Sequence, residues 1–281
     1  MSAKELNKRI RIDPSAEDGD THLTPLGESQ AELLGKHWAP LLQAKAVAGD
    51  LRVFVSPMIR CCQTVEPLMI RLRRALPTFT AQLKMNLFEL PGLVHNDDWA
   101  VFDEIDELVA KGTTEARTAV GGLLKAKSWK ACGMTAKIAR ERFPWARTMA
   151  DFPEDSPWYT QGFESPKRTA ARIRGVVAEL RELQFSLPEE AVVVFVSHGG
   201  TISELINHLL LGDDRTVSFE GIANTSVTCF HLPRIAGTIV SPLKSAFDPE
   251  IEINMLFMNR TEHLGMQRNI DFARSHLGAK I

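Results

Sequence analysis

Two apolar periods alternate along this chain. Val192, Val193, Val194, Phe195 and Val196 form an unbroken, mostly β-branched run, the pattern of a strand covered on both faces in a parallel sheet. After Ser197, His198, Gly199 and Gly200 the spacing becomes helical, with Ile202, Leu205, Ile206 and Leu209 on one side. Thr201 and Glu204 stand three apart, the spacing of a capping box. The pattern predicts strand, glycine turn and capped helix, with a histidine at the strand's carboxyl end.

The same design is repeated earlier. Leu51 to Val55 is a short apolar strand, Ser56 and Pro57 read as a cap and a first helical residue, and Ile59, Cys62, Val65, Met69 and Leu72 form a buried helical face. Before it, Thr24 and Pro25 open a helix whose expected core face is Leu26, Leu33, Leu34, Trp38, Leu41 and Leu42. Ser165 and Pro166 open another, through Ile173, Val176, Val177 and Leu180, which crosses back to the Val192 strand as parallel pairing requires. Ser226 to Leu232 and Ile251 to Phe257 read as further strands, followed by a tail packed on the surface. Arg9 to Ile12 alternate as a short edge strand does, and Asp13 to Asp20 reads as a loop rich in proline, glycine and aspartate. The expected fold is α/β, a three-layer sandwich with a mostly parallel central sheet and helices on both faces. One domain spans residues 1–281, with residues 97–160, irregular and glycine-punctuated, as a helical lid insertion anchored by Trp145, Trp158 and Tyr159.

Composition changes this picture little. A chain of 281 residues, 44% hydrophobic and 24% charged, is of ordinary globular make-up, and a formal charge of -2 gives no global drive toward nucleic acid or anionic membranes. No apolar run approaches a membrane span, and Met1 to Arg11 carries charges with no apolar segment behind them, so a cytoplasmic protein is expected. Cys61, Cys62, Cys132 and Cys229 include no CxxC pair; they read as reduced, small hydrophobes, with no metal site and no cofactor expected.

Three residues are candidates for chemistry. His198 lies where open α/β sheets bind ligands, beside a helix amino terminus that favours anions. Arg60 falls in a helix's first turn, where the dipole repels a cation and an anionic partner would offset the repulsion. Glu89 sits in the apolar stretch Leu87 to Leu90 before Pro91 and Gly92, a setting in which a carboxyl group can keep a proton for a leaving group. Each has a plain alternative: a surface histidine, an arginine paired with Glu66 or solvent, a glutamate on the wet side of a strand. The basic run from Lys125 to Arg147, with Glu141 its one acid, suits either a lid that attracts an anionic substrate or a solvated helix face.

Taken in order, LTPLG at Leu23 to Gly27, VSPMIRCCQT at Val55 to Thr64, LFELPGLVH at Leu87 to His95 and VSHGGT at Val196 to Thr201 resemble the histidine phosphatase superfamily, in its phosphoglycerate mutase-like branch. The resemblance implies a pocket of two histidines and two arginines around a phosphoryl group, with a carboxylic acid as proton donor. It gives Arg60 and His198 catalytic and phosphate-binding roles, Glu89 the role of acid, and Gly199 and Asn7 contacts to the phosphate. The implied activity is that of a phosphomonoesterase working through a phosphohistidine on a small phosphorylated substrate. A phosphomutase and a non-catalytic binder of phosphorylated ligands are the alternatives.

One departure stands out. The family's attacking histidine lies in an Arg-His-Gly motif, and the chain contains none. If Asn7 is the family's pocket asparagine, the nucleophile falls at or before Met1. None of His22, His37, His95, His208, His231, His263 and His276 stands in a comparable setting. Either the chain is a shortened form or it keeps the pocket without the covalent step, and impaired turnover is expected in both cases.

Overall fold

The register of two strands positions everything that follows. A computed structural model describes residues 20–89, 133–159, 166–211, 222–232 and 254–267. Its elements are α1 (Pro25–Ala48), β1 (Leu51–Val55), α2 (Ile59–Ala75), β2 (Ala81–Leu83), α3 (Ala136–Arg142), β3 (Ala146–Arg147), α4 (Pro166–Ser186), β4 (Val192–Val196), α5 (Gly199–Leu211), β5 (Val227–His231) and β6 (Asn254–Arg260), with 3-10 turns at Met85–Leu87 and Glu262–Gln267. Four strands form a parallel sheet in the order β3-β2-β1-β4, and β5 pairs antiparallel with β6 in a separate ribbon.

Alternation along β1 and β4 sorts their side chains into two cores. Val53, Val55, Val192, Val194 and Val196 pack with α1 and α2, among them Ala39, Leu42, Cys62, Val65 and Met69. Phe54, Val193 and Phe195 face the other way, onto Val176, Val177 and Leu180 of α4 and Leu205 and Leu209 of α5. Phe54 and Phe195 sit opposite each other in the ladder and stack at 5.4 Å. Helices therefore cover both faces of a parallel sheet, the expected α/β arrangement.

Several local readings need correction. The buried face of α1 is Gln30, Ala31, Gly35, Ala39, Leu42 and Ala46, whereas Leu26 and Leu41 are exposed. Small residues win because α1 lies close on α2: a Cβ at Gly35 would come within 2.7 Å of the Leu68 nitrogen. Ser56 does not cap α2, which starts at Ile59 after Met58. Thr201 builds no capping box either, since α5 begins at Gly199 and the Thr201 hydroxyl donates to the Phe88 carbonyl at 2.8 Å. Thr24 does cap α1, accepting from the Gly27 amide at 3.1 Å. Val192 to Val196 are each half-buried, because β4 is an edge of the described sheet, while their side chains pack on both of its faces as expected.

Of residues 97–160, those described are 133–159. Their β3 extends the central sheet beyond β2, and Trp145, Trp158 and Tyr159 are buried in the core. Asn259, expected in a surface tail, lies in β6, where its side-chain oxygen accepts from the Ala223 amide at 2.8 Å. Asn7, the Arg9 to Ile12 strand and Cys132 lie outside the described residues. No helix among the described residues is long and apolar enough to cross a membrane.

Candidate functional site

Because Val55 pairs with Val196, the chain leaves β1 and β4 side by side, and the Ser56 amide bonds to the Val196 carbonyl at 2.8 Å. The residues just beyond the two tips must meet. The Ser56 hydroxyl lies 2.8 Å from Nε2 of His198, and Arg60, in the first turn of α2, donates from Nε to His198 Nδ1 at 3.1 Å. A guanidinium has only donors, so Nδ1 is the unprotonated nitrogen. Nε2 then carries the proton and donates it to Ser56. Cys61 closes the same corner, its sulfur 3.4 Å from Nε2.

His198 and Ser56 are both buried. Burial, and after it the charges of Arg60 and Arg172, hold the imidazole well below its ordinary range, so it is neutral at pH 7. Burial also pushes the Cys61 thiol up to about 12, which makes it inert as a nucleophile. Cys61, Cys62 and Cys229 are free, the first two buried and the third half-buried.

The carboxylate of Glu89 occupies the amino terminus of α5. Its Oε2 accepts from the Gly200 amide at 2.9 Å and the Thr201 amide at 3.4 Å. These are the unmatched N–H groups that every helix start presents, so the resident carboxylate does here what a capping side chain does elsewhere. A Cβ at Gly200 would stand 3.0 Å from Glu89 Oε1, so glycine leaves the room that this contact uses. The Glu89 backbone carbonyl in turn accepts from Arg60 Nη2 at 3.5 Å.

Two of the three guanidinium nitrogens of Arg60 are thus engaged, and the third is not. Nη1 is buried and has no hydrogen-bond partner among the described residues. A buried charged donor without an acceptor is costly, and an anion in this corner would satisfy it.

Asp20 fills the place that Ser56 was expected to take. Its Oδ1 accepts from the Ile59 amide at 2.8 Å, capping α2 from a distant part of the chain. Burial raises its carboxyl from 3.8 to about 6, against the lowering effects of that bond, Arg60, His22 and Arg142, and its second oxygen is buried without a partner among the described residues. His22 contacts Arg142 of α3 at 3.2 Å.

The structure therefore joins Arg60, His198 and Glu89, three of the residues singled out in the sequence, and sets Gly199 at the start of α5 beside them. Ser56, Cys61 and Asp20 were missed as members of the site. Ser56 carried a signal, since a serine directly after a strand and before a helix sits at a strand tip whether or not it caps. Nothing in the local pattern marks Asp20 or Arg172. Among the described residues no group of histidine, cysteine and acidic side chains is arranged to hold a metal ion.

Fold and site together define an α/β protein that gathers an arginine, a neutral histidine and two carboxyl groups at the carboxyl ends of two parallel strands. Residues 7–89 and 125–242 match the model of the histidine phosphatase superfamily, branch 1, and the chain belongs to that family. Similar solved structures include a mycobacterial hydrolase (19% identity over 92% of this chain and 94% of that one, TM-score 0.44). A mycobacterial glucosyl-3-phosphoglycerate phosphatase in complex with inorganic phosphate is 19% identical over 91% of this chain and 95% of its own, with TM-score 0.41. A phosphoserine phosphatase mutant from Entamoeba histolytica in complex with phosphoserine is 17% identical over 94% of both chains, also with TM-score 0.41. No curated protein sequence matches.

Proposed function

We propose that the corner between Arg60, His198 and the start of α5 binds the phosphoryl group of a small phosphomonoester, and that the chain is built for phosphomonoesterase chemistry. The observation that carries this reading is the unpartnered, buried Nη1 of Arg60 beside a neutral imidazole. A phosphate oxygen is the acceptor that this donor lacks, and charge-assisted bonds from a guanidinium are among the stronger ones available. The family's reaction runs through attack by a histidine, protonation of the leaving oxygen by an acid, and hydrolysis of the phosphohistidine. Glu89 is the acid in this scheme, and Gly199 and Asn7 are further phosphate contacts.

His198 holds Arg60 in place at the phosphoryl site and is not the attacking group. Its Nδ1 lone pair is taken by Arg60 and its Nε2 carries a proton, so it has no lone pair to offer. The 281 residues contain no Arg-His-Gly, so little turnover is expected of this chain. The engagement of both ring nitrogens also favours a second reading, a protein that holds a phosphorylated ligand without hydrolysing it.

Melting curves with phosphate or vanadate, run alongside hydrolysis of p-nitrophenyl phosphate, test both. A rise in melting temperature that disappears in Arg60→Met supports the phosphate pocket. Turnover then selects the phosphomonoesterase, and its absence is the result expected of a chain that holds a phosphorylated ligand and contains no Arg-His-Gly. Turnover lost in His198→Ala but retained in His198→Gln agrees with a holding role. No shift with either anion counts against both readings.

A further inference from the structure

The segment carrying Glu89 is tied down in an unusual way. Each of its four successive carbonyls accepts from a side chain, and the four side chains come from different places in the fold. Arg172 of α4 donates to Asn86 at 2.8 Å, Ser197 beyond β4 to Leu87 at 2.6 Å, Thr201 of α5 to Phe88 at 2.8 Å, and Arg60 of α2 to Glu89 at 3.5 Å. This stretch leaves the sheet at Leu83 and passes through a single 3-10 turn, so neither ladder nor helix fixes its course. Carbonyls in such a segment need partners from elsewhere, and here every partner is a side chain.

Three of the four donors stand at the strand tips or the helix starts beside the pocket. Arg172 reaches in from the middle of α4. Besides bonding Asn86, its guanidinium lies over the Phe88 ring at 4.2 Å, a flat cation on an aromatic face. It therefore grips the segment on both sides of Leu87: the carbonyl of the residue before and the ring of the residue after. Phe88 is buried and wedged against Trp158 and Tyr159 at 5.5 and 4.9 Å, so its ring is held from two sides. The residue after Phe88 is Glu89, whose carboxylate ends on the Gly200 and Thr201 amides.

We propose that Arg172 is the positioning residue for Glu89: by clamping Asn86 and Phe88 it places the Glu89 carboxylate on the amino terminus of α5. The positioning itself is independent of the phosphatase reading; describing Glu89 as the proton donor rests on that reading. Arginine suits the task because one planar group supplies both the donor and the stacking face, which a lysine ammonium cannot do together.

Amide hydrogen exchange at Gly200 and Thr201 tests this on the full chain without requiring turnover. Glu89→Ala removes the acceptor and sets the fully released rate. Arg172→Met is expected to raise exchange at these two amides at least tenfold, toward that rate. The Ile202 amide, which bonds to the His198 carbonyl at 2.8 Å, stays protected, showing that α5 is intact. Arg172→Lys recovers only part of the protection. The double variant Arg172→Met, Glu89→Ala exchanges no faster than Glu89→Ala alone.

Unchanged protection in Arg172→Met, with a rise in Glu89→Ala, overturns the proposal. So does a rise that extends equally to Ile202, since that is general loosening of α5. No rise in Glu89→Ala overturns it as well, because the carboxylate is then not on those amides. Failure of the phosphatase reading shows elsewhere, as absence of any vanadate or phosphate shift in the unsubstituted chain.

Discussion

Arg60 and His198 meet across the tips of β1 and β4, with Nε of the guanidinium donating to Nδ1 of the imidazole at 3.1 Å. The bond fixes both the tautomer and the charge of the ring, because a donor that cannot accept demands a lone pair, and a nearby cation disfavours a second proton. The sequence places the two residues 138 positions apart, and the Val55 to Val196 register brings them together. The geometry leaves Nη1 of Arg60 as a buried donor without an acceptor among the described residues, and an acceptor is what an anion can supply.

His198 is expected to be in the Nε2–H form throughout the neutral range, with no titration near 6.5. Long-range proton–nitrogen correlation spectra read this directly, and a charged imidazolium at pH 6 contradicts the assigned geometry. The stability consequence has a definite sign. The folded state holds the ring well below 6.5, so between the folded and unfolded values the unfolded chain binds the extra proton. Stability is full above about pH 6.5 and declines as pH falls through it. His198→Gln, which cannot titrate, should flatten that limb of a urea-unfolding series.

Asp20 works in the opposite direction. Its folded value of about 6 lies above the ordinary 3.8, so the native state binds more protons between those limits. Its contribution is complete below pH 3.8 and is lost as pH rises through 6. A shift of this size amounts to at most about 3 kcal/mol at neutral pH, at ~1.4 kcal/mol per unit. Asp20→Asn keeps an acceptor for the Ile59 amide and removes the buried charge. It is expected to be more stable than the unsubstituted chain at pH 8 and equal or less stable at pH 4. Denaturation midpoints at the two pH values check this, and a loss of stability at pH 8 would show that the ionised carboxylate is needed as the cap.

Ser56→Ala removes the acceptor facing Nε2–H of His198, a buried contact between two buried residues. Leaving a buried donor unsatisfied costs about 1–3 kcal/mol. The unfolding free energy should fall by about that much, and vanadate should recover part of it by lending an oxygen to the freed donor. A neutral substitution would mean that the imidazole turns to find Cys61 or water.

The layered architecture was readable because strand and helix periods differ sharply in segments such as Val192 to Leu209. The chemistry was readable at Arg60, His198 and Glu89, since each stood out from its local pattern: a cation in a helix's first turn, a histidine in a glycine turn, an acid in an apolar run. Contacts between distant segments were not readable. Asp20 capping α2, the Glu89 carboxylate capping α5 and Arg172 clamping Asn86 each join elements through tertiary packing, which leaves no local period. The Thr201 and Glu204 spacing misled for the same reason, because Glu89 already supplies the acceptor that a capping box would have provided.

The buried face of α1 is set by its small residues. Spacing favours its leucines, yet helix approach is decided by Gly35, whose added Cβ would meet the Leu68 nitrogen and Pro67 carbonyl carbon at 2.7 Å. Both are backbone atoms of α2 that cannot turn aside as a side chain end can. Helix propensity alone favours Ala over Gly by about 1 kcal/mol, so Gly35→Ala tests whether contact overrides propensity. Overpacking of this kind costs about 1–3 kcal/mol and should outweigh the gain, lowering the melting temperature. Gly175 in α4 is the control, since a Cβ there meets nothing within 4 Å, and Gly175→Ala should raise it. If both substitutions stabilise, α1 and α2 pack less closely than described and the small-residue face loses its explanation.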